Sequence, residues 1–191
     1  MHGVRSSIPA EYYQAQPLSP GWTHSQHSYL YYDNGWTVGN TMQLPSWHIF
    51  LPGAITPISF YKKNGTFICY NEGVYDKLTE VNGEFRLEAL DKTLYIFRRV
   101  GTTLPIYNLE TITDREGRVM RYEYYPMVAG ATTRLLQYVY PPLEPTGSPR
   151  RLAFVYHNQS NRIYIVKYPD PTNTTSSREL VFGYIAVAMK I

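Results

Sequence analysis

The chain has 191 residues, of which 43% are hydrophobic, so it is long and apolar enough to bury a core as a single domain and is not a disordered segment. Its 18 Lys and Arg against 15 Asp and Glu leave a net charge of +3, too small and too scattered for the basic stripe that binds nucleic acid. No apolar run reaches the roughly eighteen residues of a membrane span, and the N-terminus lacks the apolar core of a secretory signal.

Tyrosine, proline and glycine stand out in the composition. The chain contains 19 Tyr, 14 Pro and 13 Gly. Aromatic residues favour strands, whereas Pro and Gly favour the turns between them. No segment has the periodicity of a long helix. The sequence therefore predicts an all-β protein of antiparallel hairpins with little or no helix.

The first part of the chain divides into two segments. Residues 1–20 are aperiodic and contain Pro and Gln, and we interpret them as an extended arm on the body or on a neighbouring molecule. Residues 21–108 contain irregular strands, which predict an antiparallel meander. Within it, Asn64-Gly65 and Asn82-Gly83 are flanked by alternating residues and predict two-residue hairpin turns, because Asn and Gly accept the positive φ that such turns require.

Residues 109–191 contain a repeat of two strand types. The first type has Arg and then large side chains at every second position, and its copies begin at Arg118, Arg150 and Arg178. The second type ends in Tyr-Pro, and its copies begin at Arg134 and Arg162. A period of about 30 residues, as here, is typical of arrays in which each repeat buries the face of its neighbour. The sequence therefore predicts stacked β-hairpins.

The alternating side chains define the predicted structural positions of this array. They are Gly117, Arg118, Tyr122, Tyr124, Arg150, Phe154, Tyr156, Arg162, Tyr168, Arg178, Phe182 and Tyr184. Residues two apart on a strand share a face, so we expect Tyr122, Phe154 and Phe182 to lie on one face in successive repeats. Gly117 and Gly65 are expected to have positive φ. Three roles stay open for the arginines: solvated strand ends, cross-strand ion pairs and cation–π contacts.

These segments resemble the RHS or YD repeat, whose pattern is a Gly-Arg start, an aromatic-x-Tyr strand end, a turn, Arg-Leu or Arg-Ile, and a second strand closing near Asp-Pro. The matching residues of the first half are Gly117, Arg118, Tyr122 and Tyr124, and those of the second half are Asn161, Arg162, Ile163, Val166, Asp170 and Pro171. The upstream segments PGWTHSQHSYLYY and GVYDKLTEVNGEFRLE are similar to those that precede the first repeats of the family. The resemblance spans residues 20–184. Tyr125-Pro126 departs from the Tyr-Asp that often follows the first strand.

The resemblance implies a spiralling β-sheet that forms the wall of a hollow shell, as in bacterial polymorphic toxins, insecticidal toxin subunits and teneurins. Such a wall is a non-enzymatic scaffold without a cofactor. Its partners are proteins, either identical subunits or the remainder of a larger shell and its cargo, and its location is secreted or at the cell surface. The family's autoproteolytic core has no match, since Asp170-Pro171 is followed by Thr172-Asn173. No catalytic residue is carried over.

The motifs of common enzyme and metal sites are missing. There is no Gly-x-Ser-x-Gly, no His-Glu-x-x-His and no Gly-rich phosphate loop. His24 and His27 would point to opposite faces of a strand, so joint ligation requires a turn, while Asp114 and Glu116 are typical of turn capping. Cys69 is the single cysteine, so it has no partner for an internal disulfide or a CxxC zinc pair. We predict a packed core thiol and no catalytic, cofactor or metal site.

Two alternative functions stay open. A carbohydrate-binding module would present a flat aromatic face to sugars, formed by Trp22, Trp36 and Trp47 with neighbouring tyrosines, unless these rings fill the core. A secreted, self-assembling fibre or sheath subunit would use unpaired strand edges. Asn64, Asn158 and Asn173 begin glycosylation acceptor patterns, which matter only in a secreted eukaryotic protein.

The C-terminal segment LVFGYIAVAMKI is apolar and strand-like throughout. An unpaired strand of this kind adds readily to another chain. We therefore predict that residues 180–189 form an edge strand in contact with a second polypeptide. The residues assigned to this assembly edge are Leu180, Val181, Tyr184, Ile185 and Val187.

Overall fold

The protein is represented by a computed structural model, which describes residues 25–35, 37–38, 41–42, 44–54, 56–100, 105–126, 134–157, 162–170, 172 and 177–182. These residues form fifteen strands and no helix, and thus contain no helix suited to crossing a membrane. Every strand pairing in them is antiparallel. The predicted all-β class is confirmed, whereas the predicted arm over residues 1–20 lies outside the described residues.

The strands follow one another closely along the chain. In order they are β1 (Tyr29–Asp33), β2 (Thr37–Val38), β3 (Thr41–Met42), β4 (Ser46–Phe50), β5 (Ile58–Lys63), β6 (Thr66–Cys69), β7 (Lys77–Val81), β8 (Glu84–Glu88), β9 (Leu94–Arg99), β10 (Ile106–Thr113), β11 (Val119–Tyr124), β12 (Leu136–Tyr140), β13 (Leu152–Tyr156), β14 (Ile163–Pro169) and β15 (Ser177–Val181). The short strands β2 and β3 pair only with each other, and the other thirteen strands form one sheet.

The two hairpin turns predicted from Asn-Gly pairs are confirmed. Asn64 and Gly65 have φ of 51° and 81° between β5 and β6, and Asn82 and Gly83 have φ of 53° and 77° between β7 and β8. Two successive positive φ values match the twist of the flanking strands. Gly117, with φ of 81°, lies in the turn between β10 and β11, so the positive φ expected there is also confirmed.

The sheet forks at β10. From β7 to β15 each strand pairs with the next, and β4, β5 and β6 do the same. The long strand β10 pairs with β9 along one edge, while its other edge is shared, with Ile106–Asn108 facing β1 and Thr111–Thr113 facing β11. Within residues 21–108 the described strands do not all pair with their neighbours in sequence, since β1 pairs with β4 and with β10. The predicted segment boundary at residue 108 falls inside β10. This strand takes β1 and β11 as two neighbours on one edge and therefore belongs to both predicted segments.

Two of the three arms that leave β10 meet at their ends. The arm β1-β4-β5-β6 and the arm β9-β8-β7 approach each other where the ring centroids of Phe67 and Phe85 are 5.8 Å apart. Lys62 of β5 also forms a 3.3 Å ion pair with Glu80 of β7. We call β1 and β4–β10 the closed half, and β11–β15 the repeat arm.

One hydrophobic cluster joins both parts of the molecule. Its buried members are Leu30, Ile49, Phe60, Leu78, Phe85, Leu87, Phe97, Leu109, Tyr122, Leu136, Val139, Phe154 and Ile163. The strand registers place these residues on one face of the sheet, which we call the core face. A smaller buried cluster with Tyr29, Tyr31, Val100 and Ile106 lies against the opposite, outer face of β1 and its neighbours. The core therefore gives no boundary between the predicted meander and the predicted repeats.

Candidate functional site: the repeat arm and its last strand

The repeat arm carries rows of core-face side chains that run across its strands. Cross-strand pairing defines two such rows, which are Tyr122, Val139 and Leu152, and Phe154, Val166 and Leu180. Tyr122 and Phe154 are 5% and 3% exposed, and Phe182 is partly buried against the same core cluster. The three residues that the sequence treats as equivalent thus contact one continuous core.

A β-bulge recurs at the same point of the repeat. The register shifts between Glu123 and Tyr124 where β11 pairs with β12, and again between Val155 and Tyr156 where β13 pairs with β14. A bulge increases the local twist of a sheet. Tyr124 follows the first bulge and donates a 2.7 Å hydrogen bond to the carbonyl oxygen of Leu109, and burial raises its pKa well above the usual value. The repeat is therefore one of backbone geometry as well as of sequence.

The second strand type is out of register with the sequence alignment by one residue. The alignment that begins at Arg134 and Arg162 makes Leu136 of β12 equivalent to Tyr164 of β14. Leu136 is buried but Tyr164 is exposed, and the buried counterpart of Leu136 is the preceding residue, Ile163. Leu136 and Ile163 each pair with the tyrosine that follows a bulge. The buried residues of this strand type therefore do not follow the sequence alignment, because core-face side chains, and not the Tyr-Pro ends, determine which register is buried.

This shift separates two tyrosines that the alignment makes equivalent. Tyr140 is fully buried on the outer face, whereas Tyr168 is 39% exposed and lies on the core-face side of β14. The hydroxyl of Tyr140 donates to Glu123 Oε2 at 3.1 Å and accepts hydrogen bonds from the Gly147 amide and Arg151 Nη1 at 3.2 and 3.1 Å. The loop after β12 therefore folds back and covers the outer face there.

Arginines at the strand starts form ion pairs at the surface. Arg118 contacts Asp114 and Glu116 within the β10–β11 turn at 2.6 and 3.0 Å, and Arg150 lies 3.5 Å from Glu144. All three first-type arginines are more than half exposed, and Arg178 pairs with Asp170 at 3.4 Å across the β14–β15 connection. These groups are thus both solvated and paired.

The cation–π contact of this region belongs to a different arginine. The guanidinium carbon of Arg151, one residue after the predicted Arg150, lies 3.8 Å from the ring centroid of Tyr138 on β12. Arg162 immediately precedes β14. A guanidinium stacked on an aromatic face interacts favourably with the ring quadrupole. Arg151 therefore links β12, β13 and the covering loop.

β15 is exposed over its full length. All five of its residues are exposed, and Leu180 and Val181 have 54% and 57% of their surface accessible. Within the described residues, β15 pairs with β14 alone. The core-face row of Phe154 and Val166 therefore ends at Leu180, whose side chain is accessible to solvent. Tyr184, Ile185 and Val187, the other residues predicted for the assembly edge, lie outside the described residues.

A histidine between two serines is the arrangement closest to catalytic chemistry. His48 Nε2 lies 2.8 Å from Ser46 Oγ, and His48 Nδ1 lies 2.8 Å from Ser59 Oγ. The imidazole stacks on Tyr31 at 4.8 Å, and burial lowers its pKa, with a smaller opposing effect from the charge of Asp33. A nucleophile–base pair needs a third group that orients the base, but here a second hydroxyl occupies Nδ1. The geometry fits a bridge that holds β4 against β5.

The described aromatic and histidine candidates, Trp47 and His27, both make ring contacts with neighbouring aromatic residues. Trp47 is half-buried against the core, with its ring centroid 4.7 Å from Tyr32 and 5.0 Å from Phe67 in an edge-on contact. Trp22, Trp36 and His24 lie outside the described residues, and the ring of His27 lies 5.0 Å from that of Tyr29. Among the residues with described positions, no group of three or more His, Cys, Asp or Glu is arranged to hold a metal ion.

Cys69 lies at the end of β6. It is partly buried, packs against the core cluster, and its thiol lies 3.8 Å from the carbonyl oxygen of Asn71. Burial raises the pKa of the thiol. A thiol that stays protonated is a poor nucleophile and metal ligand, so this position fits the predicted packed thiol.

The outer face of the closed half carries a group of charged side chains that the sequence patterns did not predict. Glu84, Arg86 and Arg98 come together because β8 pairs with β9 so that Glu84 faces Arg98. The alternation Glu-x-Arg in β8 indicates the pair of Glu84 and Arg86, but the contact with Arg98 of β9 follows only from the register of the two strands.

No family model and no curated protein matches this sequence.

Proposed function

We propose that this chain is a non-enzymatic β-scaffold that resembles part of an RHS/YD-repeat shell, and that it works by enclosing a toxic cargo or by assembling with other chains outside the cell. The observation that carries this proposal is the repeated register of the repeat arm, with its two core-face rows and its recurring bulge. An array of this kind can be extended by further hairpins that repeat the same contacts.

The surface through which the scaffold would assemble is β15. Leu180 continues a row that is otherwise covered, and Val181 is equally accessible on the other face. Strand addition satisfies backbone donors and acceptors without rearranging the sheet. The partner would be an identical subunit or the remainder of a larger shell.

Light scattering on the purified chain at micromolar concentration tests this proposal. We expect association of the parent chain, and a clear shift towards monomer in Leu180→Lys, because a charge would then face the partner. Leu90→Lys is the matched control, since Leu90 is 72% exposed in the β8–β9 turn. A chain that remains a 22.1 kDa monomer would contradict assembly through this edge.

The exposure of β15 on both faces also favours a fibre or sheath subunit as a second candidate. A closed shell has a defined size, whereas a subunit that adds head to tail without closure grows into filaments. Electron microscopy of the associated material separates the two functions. Filaments whose length increases with concentration would support the fibre, and particles of uniform size would support the shell.

A further inference from the structure

A depression of about 360 Å³ opens on the surface of the closed half, far along the sheet from β15. It lies beside the Asn82-Gly83 turn that joins β7 to β8. The charged side chains that line it are Glu84, Arg86, Arg98 and Arg99. Arginines thus supply three of the four charged side chains of this lining, and we call this feature the arginine depression.

Glu84 holds two of these guanidinium groups in place. Its side chain is only 13% exposed, and it accepts hydrogen bonds from Arg86 Nε at 2.8 Å and from Arg98 Nε at 3.0 Å, each through a different carboxylate oxygen. Burial alone would raise the pKa of Glu84, but the hydrogen bonds from the two arginines outweigh it and lower the pKa. The carboxylate thus stays ionised and fixes both planar groups.

The held guanidinium groups retain donors outside these ion pairs. Arg98 uses Nη1 to contact Glu110 at 3.2 Å. Both Nη groups of Arg86 and the Nη2 group of Arg98 take no part in the contacts with Glu84 and Glu110. The two side chains are 45% and 60% exposed, so a ligand can reach them from solvent.

The arrangement has the properties of an anion site. Guanidinium groups bind carboxylate, phosphate and sulfate through charge-assisted hydrogen bonds. A planar carboxylate is satisfied by a single guanidinium fork, whereas a tetrahedral oxyanion directs oxygens towards donors from more than one side. Here the donors come from two paired strands, β8 and β9.

We propose that the arginine depression binds a tetrahedral oxyanion, namely phosphate or sulfate, through Arg86 and Arg98, and that Glu84 positions these two arginines. The site does not depend on the scaffold function, because it lies on a different arm of the sheet and uses none of the residues of β15.

Nuclear magnetic resonance titration with inorganic phosphate and with inorganic sulfate, at ionic strength held constant with chloride, tests the proposal. We expect saturable shifts confined to the β7–β8 turn and to the Nε groups of Arg86 and Arg98, with acetate binding more weakly. Arg86→Gln should weaken binding by roughly tenfold or more. Arg115→Gln is the matched control, since it removes the same charge from an arginine that is 74% exposed in the β10–β11 turn. Equal effects of the two variants, or shifts that never saturate, would overturn the site.

Glu84→Gln separates positioning from simple charge. The substitution makes the depression more positive, so an unstructured patch of charge would bind the anion more tightly. A site that depends on guanidinium groups held by Glu84 should instead bind more weakly. Tighter or unchanged binding, in a variant whose spectrum is otherwise that of the parent chain, would refute the positioning role. If Glu84→Gln does not fold, Arg86→Gln still decides whether the site exists, because Arg86 is a half-exposed side chain.

Discussion

Two end strands of the same sheet, β7 and β15, differ sharply although they are built alike. Each presents a leucine to the core face, Leu78 paired with Leu87 and Leu180 paired with Val166. Leu78 is 4% exposed, whereas Leu180 is 54% exposed. The residue type, the face and the terminal position in the sheet are the same, so none of these explains the difference in burial.

What differs is the structure that stands opposite each strand. β7 and β8 are approached by β5 and β6, with Phe67 against Phe85 and Lys62 paired with Glu80. Among the described residues, the repeat arm has no second layer of this kind over β15. An apolar row on a sheet is buried only where another layer covers it. The closed half supplies its own cover, whereas in the proposed assembly a partner chain would cover β15 of the repeat arm.

The largest expected effect is in the part of the repeat arm that is already covered. Phe154 is 3% exposed and belongs to the shared core. Phe154→Ala should lower the free energy of unfolding by roughly 3–5 kcal/mol, because it removes a buried ring and leaves a cavity. Urea titration measures this loss. A change near zero would mean that the core of the closed half does not extend into the repeat arm.

The leucine pair tests the comparison directly. Leu78→Ala should destabilise the chain by about 2–4 kcal/mol, as for a buried leucine. Leu180→Ala should stay within about 0.5 kcal/mol, as for a surface position. Denaturant titration at a protein concentration too low for association measures both. Similar losses in the two variants would show that Leu180 is covered within its own chain.

Glycine turns provide a pair for which the two regions should agree. Gly65 in the closed half and Gly117 at the base of the repeat arm both have φ of 81°, and an added Cβ would meet no atom within 4 Å at either. Ala should therefore cost about 1–2 kcal/mol at both positions, through backbone strain alone. Thermal unfolding of the two variants is the measurement. A large difference between them would show that one turn adjusts its backbone at little cost.

The sequence predicts local features of this molecule well. Asn64-Gly65 and Asn82-Gly83 specify their turns because few other residue pairs accept two positive φ values in succession. The first strand type is recognised from its alternation, since large side chains at every second position suit a strand with one buried face. In each of these cases the signal and the structure occupy the same short stretch of chain.

The sequence does not predict which distant strands pair with each other, or the register in which they pair. The pairing of Tyr29 with Asn108 joins distant segments, and nothing in either strand specifies the other. Leu136 of β12 and Ile163 of β14 take equivalent places in the register, each beside the recurring bulge, but an alignment on Arg and Tyr-Pro does not match them and is displaced by one residue. The contacts of His48 with Ser59 and of Glu84 with Arg98 depend on such registers, which is why the sequence did not reveal them.

The smallest expected effect concerns the connection that holds β15 to β14. Asp170 Oδ1 accepts hydrogen bonds from the Thr172 hydroxyl and amide at 2.6 and 2.8 Å, and Arg178 Nε lies 3.4 Å from Oδ2. These contacts lower the pKa of Asp170 from 3.8 to about 2, with the Thr172 hydroxyl as the largest cause. Since the carboxylate is favoured in the folded state, its small contribution to stability is present above pH 3.8 and is lost as the pH falls through about 2. Titration of the Asp170 carboxyl by nuclear magnetic resonance should show Thr172→Ala raising the pKa more than Arg178→Gln, with Thr172→Ser unchanged. A midpoint near 3.8 in the parent chain would mean that this connection is not formed in solution, and that β15 is held by its pairing with β14 alone.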